Sequence, residues 1–333
     1  MKVLGLIRSF KKGIELPIRK ADKSYPHSFW VLVQKEVSDH ILSWRVNILV
    51  ILLALTCFGS LYTALSGIRD AAESIDANDT FLFLKLFTIS DGTLPPFFVF
   101  VSFIGPLLGI ALGFDAINSE YSKGTLSRVV SQPIPRDYII NAKFVAAILV
   151  ISALLFSLGF LVLALGILMI GIPPTPDEFL RVISFLVLSV CYIAFWVNLS
   201  ILFSIRFKQA ATSALSSIAV WLFFSIFYSM IVNLISKASE SQDARDQSTT
   251  LIENLMRISP SQLFSEATTI LLTPSVRTLG PLTMEQVVGA IPGALPLSQS
   301  LLLITPQLIA LIAATLICFG ISYALFMRKE IRN

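Results

Sequence analysis

The chain has 333 residues, of which 55% are hydrophobic and 14% charged, and its mean hydropathy is +0.79. Soluble domains carry about a quarter charged residues, so this composition excludes a water-soluble globular protein and indicates a chain whose solvent is lipid. The net charge of +4 is too small to indicate a nucleic-acid-binding protein.

The N-terminal segment, residues 1–45, is basic, and it shows no hydrophobic core and cleavage site of a removable signal peptide. Its second half predicts an amphipathic helix in the headgroup layer of the membrane, with tryptophans at the interface. A solvated helical arm is the alternative. The apolar residues that recur at near-helical spacing are Trp30, Val33, Val37, Ile41 and Trp44.

Six apolar stretches follow, each close to the roughly 20 residues that a helix needs to cross the hydrocarbon core. They predict an all-α membrane protein with a six-span domain over residues 46–333. The spans are 46–65, 97–114, 144–170, 182–205, 210–235 and 306–327.

Charge outside the spans predicts the orientation, because Lys and Arg concentrate in cytoplasmic loops. With a cytoplasmic N-terminus, the inner segments hold 18 basic and 8 acidic residues, a net charge of +10. The outer segments hold 7 basic and 13 acidic residues, a net charge of −6. We therefore expect both termini in the cytoplasm.

The outer loop between the fifth and sixth spans, 236–305, is long and begins with a polar stretch. Its later apolar pieces are too short and too often interrupted by proline to span a membrane. They predict short amphipathic or re-entrant helices at the outer rim of the bundle. A small independent outer domain is the alternative.

The spans, with these bounds, contain no Asp, Glu, Lys, Arg or His. Ionisable residues in lipid usually mark proton relays or ion paths, so their absence disfavours a proton-coupled antiporter or a membrane protease. Sodium coupling through backbone carbonyls remains open. The residues Cys57, Cys191, Cys318, His27 and His40 lack the spacing of a metal or redox motif.

No phosphate-binding loop of the form GxxxxGK[ST] occurs in the chain, so nucleotide-driven transport requires a partner that binds the nucleotide. The polar segment between the second and third spans predicts a surface for that partner. Residues Asn118 to Gln132 predict a short helix that Pro133 and Pro135 end. Leu126, Val129 and Val130 gather on one side of it as a small apolar knob. A plain basic loop is the alternative.

This segment, "EYSKGTLSRVVSQPIPRDYIINAK", resembles the E-x-x-x-G-T-L…P…R…K pattern of ABC-2 type transporter permeases. "WVLVQKEVSDHILSWR" is similar to the amphipathic N-terminal helix of that family, "ISPSQLFSEATTILLTP" to its outer segment and "ALFMRKEIR" to its basic tail. The outer loop is longer than the usual hairpin of the family. The residues that match the first pattern are Glu120, Gly124, Thr125, Leu126, Pro133, Arg136 and Lys143.

The resemblance implies the transmembrane subunit of an ATP-binding cassette exporter in a prokaryotic plasma membrane. It implies pairing with a second permease copy, identical or related, and with cytoplasmic ATPase subunits that bind ATP and Mg²⁺. The chain itself would be neither an enzyme nor a cofactor-binding protein. Its many phenylalanines suit a hydrophobic or amphipathic cargo, such as a drug, peptide or lipid-like molecule. An ion-coupled secondary transporter and a non-transporting membrane scaffold are the alternatives.

By this resemblance the helix between the second and third spans is a coupling helix that receives the movement of the ATPase. We expect two groups of residues in it. Contact with the ATPase subunit is assigned to Tyr121, Thr125, Leu126, Arg128 and Val129, and positioning of the coupling helix to Glu120, Gly124, Pro133 and Arg136.

Overall fold

The structure is a computed structural model that describes residues 28–70, 81–89, 93–122, 124, 135–171, 173–238, 252, 254–274 and 295–328. Regular secondary structure in these ranges is helical throughout. A π-helical turn, Phe223–Phe227, joins the α-helices Ala210–Leu222 and Tyr228–Ala238. The α-helices are α1 (Ser28–Ile41), α2 (Trp44–Asp70), α3 (Leu82–Thr88), α4 (Phe97–Gly113), α5 (Asn118–Ser122), α6 (Arg136–Ile170), α7 (Pro176–Arg206), α8 (Ala210–Leu222), α9 (Tyr228–Ala238), α10 (Pro260–Leu272) and α11 (Leu297–Arg328).

Six stretches of the described chain are long and apolar enough to cross a membrane. Each contains one span predicted from hydropathy, so the predicted number of spans is confirmed. The stretches are Trp44–Ser66, Phe97–Ser122, Arg136–Ile170, Pro176–Arg206, Ala210–Ile235 and Leu297–Arg328.

Local sequence explains where the third and fourth spanning helices begin and end. Pro135 precedes α6 with φ −56°, a value that suits a helix start. Gly171 ends α6 in the left-handed region, with φ 81°. Thr175 and Glu178 then form a capping box at the start of α7, with Pro176 in the first helical turn. These helices therefore extend beyond the predicted spans and include charged residues at their ends.

The central helix is α7, which packs against α4, α6, α8, α10 and α11. Its large side chains Phe185, Tyr192 and Trp196 are fully buried. Lipid offers no hydrophobic driving force between helices, so such packing depends on close fit and polar contacts. α7 therefore links most of the bundle.

A line of glycines brings α4 close to α7. Gly105, Gly109 and Gly113 are spaced four residues apart and face Ile193, Trp196 and Val197 of α7. A Cβ atom added at Gly113 would lie 2.7 Å from the carbonyl oxygen of Val197. Small residues at this spacing let two membrane helices approach backbone to backbone.

The described part of the loop between the fifth and sixth spans packs on the bundle. α10 contacts α7 and α11, and it buries Phe264 and Leu271. The ring of Phe264 stacks on Tyr192 with centroids 4.4 Å apart. α10 therefore shares the main hydrophobic core with the spanning helices. Residues 239–251, 253 and 275–294 of this loop lie outside the described residues.

Helices that lie outside the predicted spans gather at two ends of the bundle. The α1 end comprises α1, α5 and the first turns of α6, and the α10 end comprises α3, α10 and the first turns of α7.

The phenylalanines that the sequence groups near the second span separate in the structure. Phe97 lies in the core against Phe87 and Phe185, whereas Phe103 is half exposed beside Trp221.

Candidate functional site: an ion-pair network that joins three helices

At the α1 end, α1 lies along the first turns of α6. Val33 of α1 is buried against Ala142 and Ala146 of α6. Nearby, the ring of Phe29 meets the edge of Tyr138 with centroids 5.5 Å apart. The two alanines allow this close approach because they add little bulk to the surface of α6. The amphipathic segment is thus attached to the third spanning helix through its apolar residues.

Beside this contact, one lysine joins three helices. The ammonium Nζ of Lys143 in α6 lies 3.0 Å from Glu36 Oε2 of α1 and 2.8 Å from Glu120 Oε1 of α5. Lys143 is 5% exposed and Glu36 is 7% exposed. A buried charge is stable only when it is paired and hydrogen-bonded. We call Lys35, Glu36, Glu120 and Lys143 the ion-pair network.

The second lysine, Lys35, lies at the exposed edge of the network. Its Nζ is 2.9 Å from Glu36 Oε1, 3.2 Å from Asp39 Oδ2 and 3.7 Å from Glu120 Oε1. Burial by itself would raise the pKa of the Glu36 carboxyl, but the ammonium groups of Lys143 and Lys35 lower it below its ordinary range. Burial likewise opposes the charge of Lys35, yet the surrounding carboxylates raise its pKa. Both groups are therefore held in their charged forms.

A further ion pair lies next to the network. Arg45, at the start of α2, binds the carboxylate of Asp115, and its guanidinium stacks 4.8 Å from the ring of Phe114. Just beyond, the backbone N–H groups of Ile117 and Asn118 donate to the hydroxyl of Ser204 in α7, at 2.9 and 3.2 Å. The first turn of α5 is thus fixed to the fourth spanning helix as well as to α6.

The residues predicted for the coupling helix fall partly within the described chain. Glu120 and Tyr121 lie in α5, and the side chain of Tyr121 is exposed. Arg136 opens α6 and is exposed. The other predicted residues, Thr125, Leu126, Arg128, Val129 and Pro133, lie outside the described residues.

The prediction of one helix from Asn118 to Gln132 is wrong at Gly124. α5 ends at Ser122, and Gly124 has φ 66°, in the left-handed region. A regular right-handed helix does not continue through such a residue. Glycine adopts this conformation at little cost, which explains its use at this position.

Sequence reasoning did not include Lys143 or Glu36 among the site residues, although both lie in segments that resemble the family. Two sequence features pointed to these residues. Lys143 stands directly before the third apolar run, and Glu36 belongs to a Lys-Glu pair within an amphipathic helix. Neither feature specifies a partner, because Glu36 and Lys143 are 107 positions apart.

Arg181 is a second buried cation that the sequence did not single out, and it lies at the α10 end. Its guanidinium binds Asp177 Oδ2 at 2.7 Å, the carbonyl oxygens of Leu271 and Leu295, and the hydroxyl of Ser300. It is fully buried. This one side chain therefore ties α7 to the end of α10 and to the start of α11.

Six apolar helices in the described part of the chain, one of them the central α7, define a multi-pass membrane protein. The chain belongs to the ABC-2 family of transporter proteins, whose family model matches residues 30–331. The match runs from α1 to the last residues of the chain, so it includes the ion-pair network. A search among curated proteins finds no match to the chain. Members of this family are membrane components of transporters, are not catalytic themselves and generally work with an ATPase subunit.

Proposed function

We propose that this chain is the transmembrane permease subunit of an ATP-binding cassette exporter. A separate cytoplasmic ATPase subunit supplies the energy, and two permease copies form the translocation path. The cargo is a hydrophobic or amphipathic molecule. The observation that carries this proposal is the ion-pair network, because it connects the segment after the second span to the body of the bundle.

The charge distribution supports a cytoplasmic position of the α1 end. In the orientation predicted from the sequence, the segments on that side carry a net charge of +10 and those on the opposite side −6. Positive residues are retained on the cytoplasmic side during insertion. A cytoplasmic ATPase then meets the α1 end, where Tyr121 and Ser122 of α5 are exposed.

Movement of the segment after α5 has two routes into the bundle. Glu120 passes it to α6 through Lys143, and the backbone of Ile117 and Asn118 passes it to α7 through Ser204. Packed helices and ion pairs of this kind transmit displacement because their contacts have little room to yield. Tyr121, Thr125, Leu126, Arg128 and Val129 are the residues that we assign to contact with the ATPase.

A hydrophobic cargo is supported by the apolar aromatic surface of the spans. Phe103 of α4 and Phe223 and Phe227 of the π-helical turn are 42 to 50% exposed. Such a surface contacts lipid and molecules dissolved in lipid, whereas a charged cargo would require a polar lining. We assign the π-helical turn to this surface because π-bulges are frequent at functional sites.

Site-specific photo-cross-linking tests the proposed ATPase contact. A benzophenone amino acid replaces Leu126, and a matched variant carries it at Leu168, an exposed residue near the opposite end of α6. After irradiation of membranes, mass spectrometry identifies the adducts. We expect a chain with a phosphate-binding GxxxxGK[ST] loop to cross-link from position 126 alone. Equal adducts from both positions, or none from position 126, would contradict the proposal.

Transport is tested in inverted membrane vesicles that contain the chain and its cross-linked ATPase. The probes are Hoechst 33342 and a fluorescent phosphatidylethanolamine. ATP-dependent accumulation of either probe supports export, since the cytoplasmic face of an inverted vesicle is outermost. A Leu126→Asp variant should abolish accumulation, because it places an unpaired charge in the proposed contact. Accumulation without ATP would identify a secondary transporter, and ATPase binding without transport of either probe would favour a scaffold.

A further inference from the structure

Lys143 is the shared partner of two carboxylates that come from different helices. Glu36 belongs to α1, which precedes all the spans, and Glu120 belongs to α5, which follows the second span. Lys143 itself is in α6, the third spanning helix. The three residues therefore connect an N-terminal helix to the predicted coupling segment through one buried ammonium group.

The two contacts differ in how much other packing supports them. The Glu36–Lys143 pair lies beside the buried Val33 and its alanine neighbours, so α1 and α6 are held together by apolar packing as well as charge. α5 has only five residues. Its Glu120 reaches α6 through Lys143 and reaches α1 through Lys35. The connection between α5 and this pair of helices thus runs through ion pairs, whereas the hydroxyl of Ser204 fixes the first turn of α5 to α7.

The exposed side of α1 carries large aromatic and aliphatic side chains. Trp30 is 56% exposed and Ile41 also 56%, and Trp44, just beyond the helix, is 74% exposed. Tryptophans of this kind sit in the interfacial layer of a bilayer. α1 is therefore in a position to contact the membrane surface on one side and the ion-pair network on the other.

We propose that Lys143 is a positioning residue that makes α1 and α6 move together with α5. In this arrangement α1 is a mechanical part of the permease as well as a membrane anchor. Displacement of the coupling segment is passed through Glu120 to Lys143, and from Lys143 through Glu36 to α1. The inference rests on the proposed function for the source of the displacement, but the connection itself is a property of this chain alone.

Distances between spin labels test the connection without any partner. The full chain, with Cys57, Cys191 and Cys318 replaced by alanine, is placed in lipid nanodiscs and diluted with unlabelled chain. One sample carries nitroxides at Val31 of α1 and Ser122 of α5, both exposed. A second sample carries them at Val31 and Leu149 of α6 and reports the α1–α6 distance. Pulsed electron resonance measures each distance distribution.

Glu120→Gln is the main variant because it leaves the Glu36–Lys143 pair intact. We expect the distance distribution between Val31 and Ser122 to broaden, because the end of α5 loses its ion pairs while Ser204 still holds its first turn. The distance between Val31 and Leu149 should stay unchanged. An unchanged Val31–Ser122 distribution would overturn the proposal, and so would a broadening of both distributions, since that would show a general loss of structure.

Three further variants separate positioning from folding. Asp39→Asn removes an equal charge from α1, but Asp39 lies at the exposed edge of the network, so both distances should remain narrow. Lys143→Arg keeps a cation between the two carboxylates and should retain the Val31–Ser122 distance. Lys143→Met removes that cation and should broaden the Val31–Ser122 distance distribution. If Lys143→Met and Lys143→Arg behave alike, charge at this position does not hold α5.

A transport measurement tests whether the connection between α5 and α6 is needed for export. With the ATPase present, Glu120→Gln should reduce accumulation of the fluorescent probes more than it reduces ATP hydrolysis, so more ATP is used per molecule moved. Retention of full accumulation in a variant whose α5 is released would overturn the proposed role of the connection. If the distances respond as expected but no ATPase cross-links at position 126, the connection stands and the proposed function fails.

Discussion

The hydroxyl of Tyr192 in α7 donates to the carbonyl oxygen of Ser102 in α4, 3.1 Å away. Pro106 lies four residues after Ser102 within the same helix and has no N–H to donate to that carbonyl. In a membrane interior an unsatisfied carbonyl is costly. Tyr192 of the neighbouring helix therefore donates the hydrogen bond that the carbonyl of Ser102 lacks within α4. The hydroxyl also contacts Ser261 of α10 at 3.1 Å.

Tyr192→Phe removes this hydroxyl and keeps the ring that stacks on Phe264. We expect a loss of about 1 kcal/mol of stability, because hydrogen bonds between membrane helices contribute on that order. Thermal unfolding in detergent measures it. Tyr62→Phe is the control, since Tyr62 is exposed on α2. Equal unfolding midpoints for the two variants would contradict the assigned role of Tyr192.

Gly113→Ala tests the close approach of α4 and α7. The added methyl group would lie 2.7 Å from a backbone oxygen of α7, which cannot move aside as a flexible side chain would. We expect a destabilisation of about 1–3 kcal/mol, as for other overpacked sites. Gly320→Ala in α11 is the matched control, because nothing lies within 4 Å of its added methyl group. There alanine should be neutral or stabilising. Similar losses in both would show that helix approach is not the cause.

Arg181→Lys tests the clamp at the α10 end. A lysine keeps the charge but cannot reproduce the forked contacts to Asp177, two carbonyl oxygens and Ser300. Buried acceptors that lose their donor cost about 1–3 kcal/mol, so we expect a loss of that order in the detergent unfolding assay. Asp177→Asn should also cost about 1–3 kcal/mol, because it leaves the fully buried guanidinium of Arg181 without its counter-charge. A neutral Asp177→Asn together with a destabilising Arg181→Lys would assign the clamp to the carbonyl oxygens and Ser300 alone.

Acid should weaken the α1 end through His40. Burial lowers the pKa of this histidine, and this effect outweighs the nearby carboxylates of Glu36, Asp115 and Asp39, while Lys143 acts with burial. A lowered folded-state pKa means that the stability is complete above the ordinary histidine value of about 6.5 and is lost as pH falls through the folded pKa. The unfolding midpoint should therefore drop between pH 7.5 and 5.5.

The comparison that isolates this effect is His40→Gln, which cannot titrate. Its unfolding midpoint should change less than that of the wild type over the same pH range. Glu36 adds a second loss at more acidic pH, because its pKa is lowered in the folded chain and its protonation breaks the pair with Lys143. An identical drop in the wild type and in His40→Gln would show that another group is responsible.

The coupling segment shows how far sequence reasoning reached. The polar residues after the second span predicted a break between the second and third spanning helices, and the structure has α5 end at Ser122 and α6 begin at Arg136. The left-handed conformation at Gly124 was not predictable, because glycine fits both a helix and a left-handed turn by composition, and only φ 66° distinguishes them. The amphipathic pattern of α1 was likewise predictable from the sequence. Which of its apolar residues are buried was not, because the position of α6 decides that Val33 is buried and Trp30 exposed.

The sequence alone determined that this is a membrane protein and how many spans it has. A run of about 20 apolar residues is a local property of the chain, and hydropathy measures it directly. The tertiary structure decided which charges meet. Lys143 finds Glu120 23 positions away and Glu36 107 positions away, and Arg181 reaches Ser300 119 positions along the chain. The packing of the helices around α7 determines these partners. A buried charge is tolerated only where the fold places an opposite charge in contact with it.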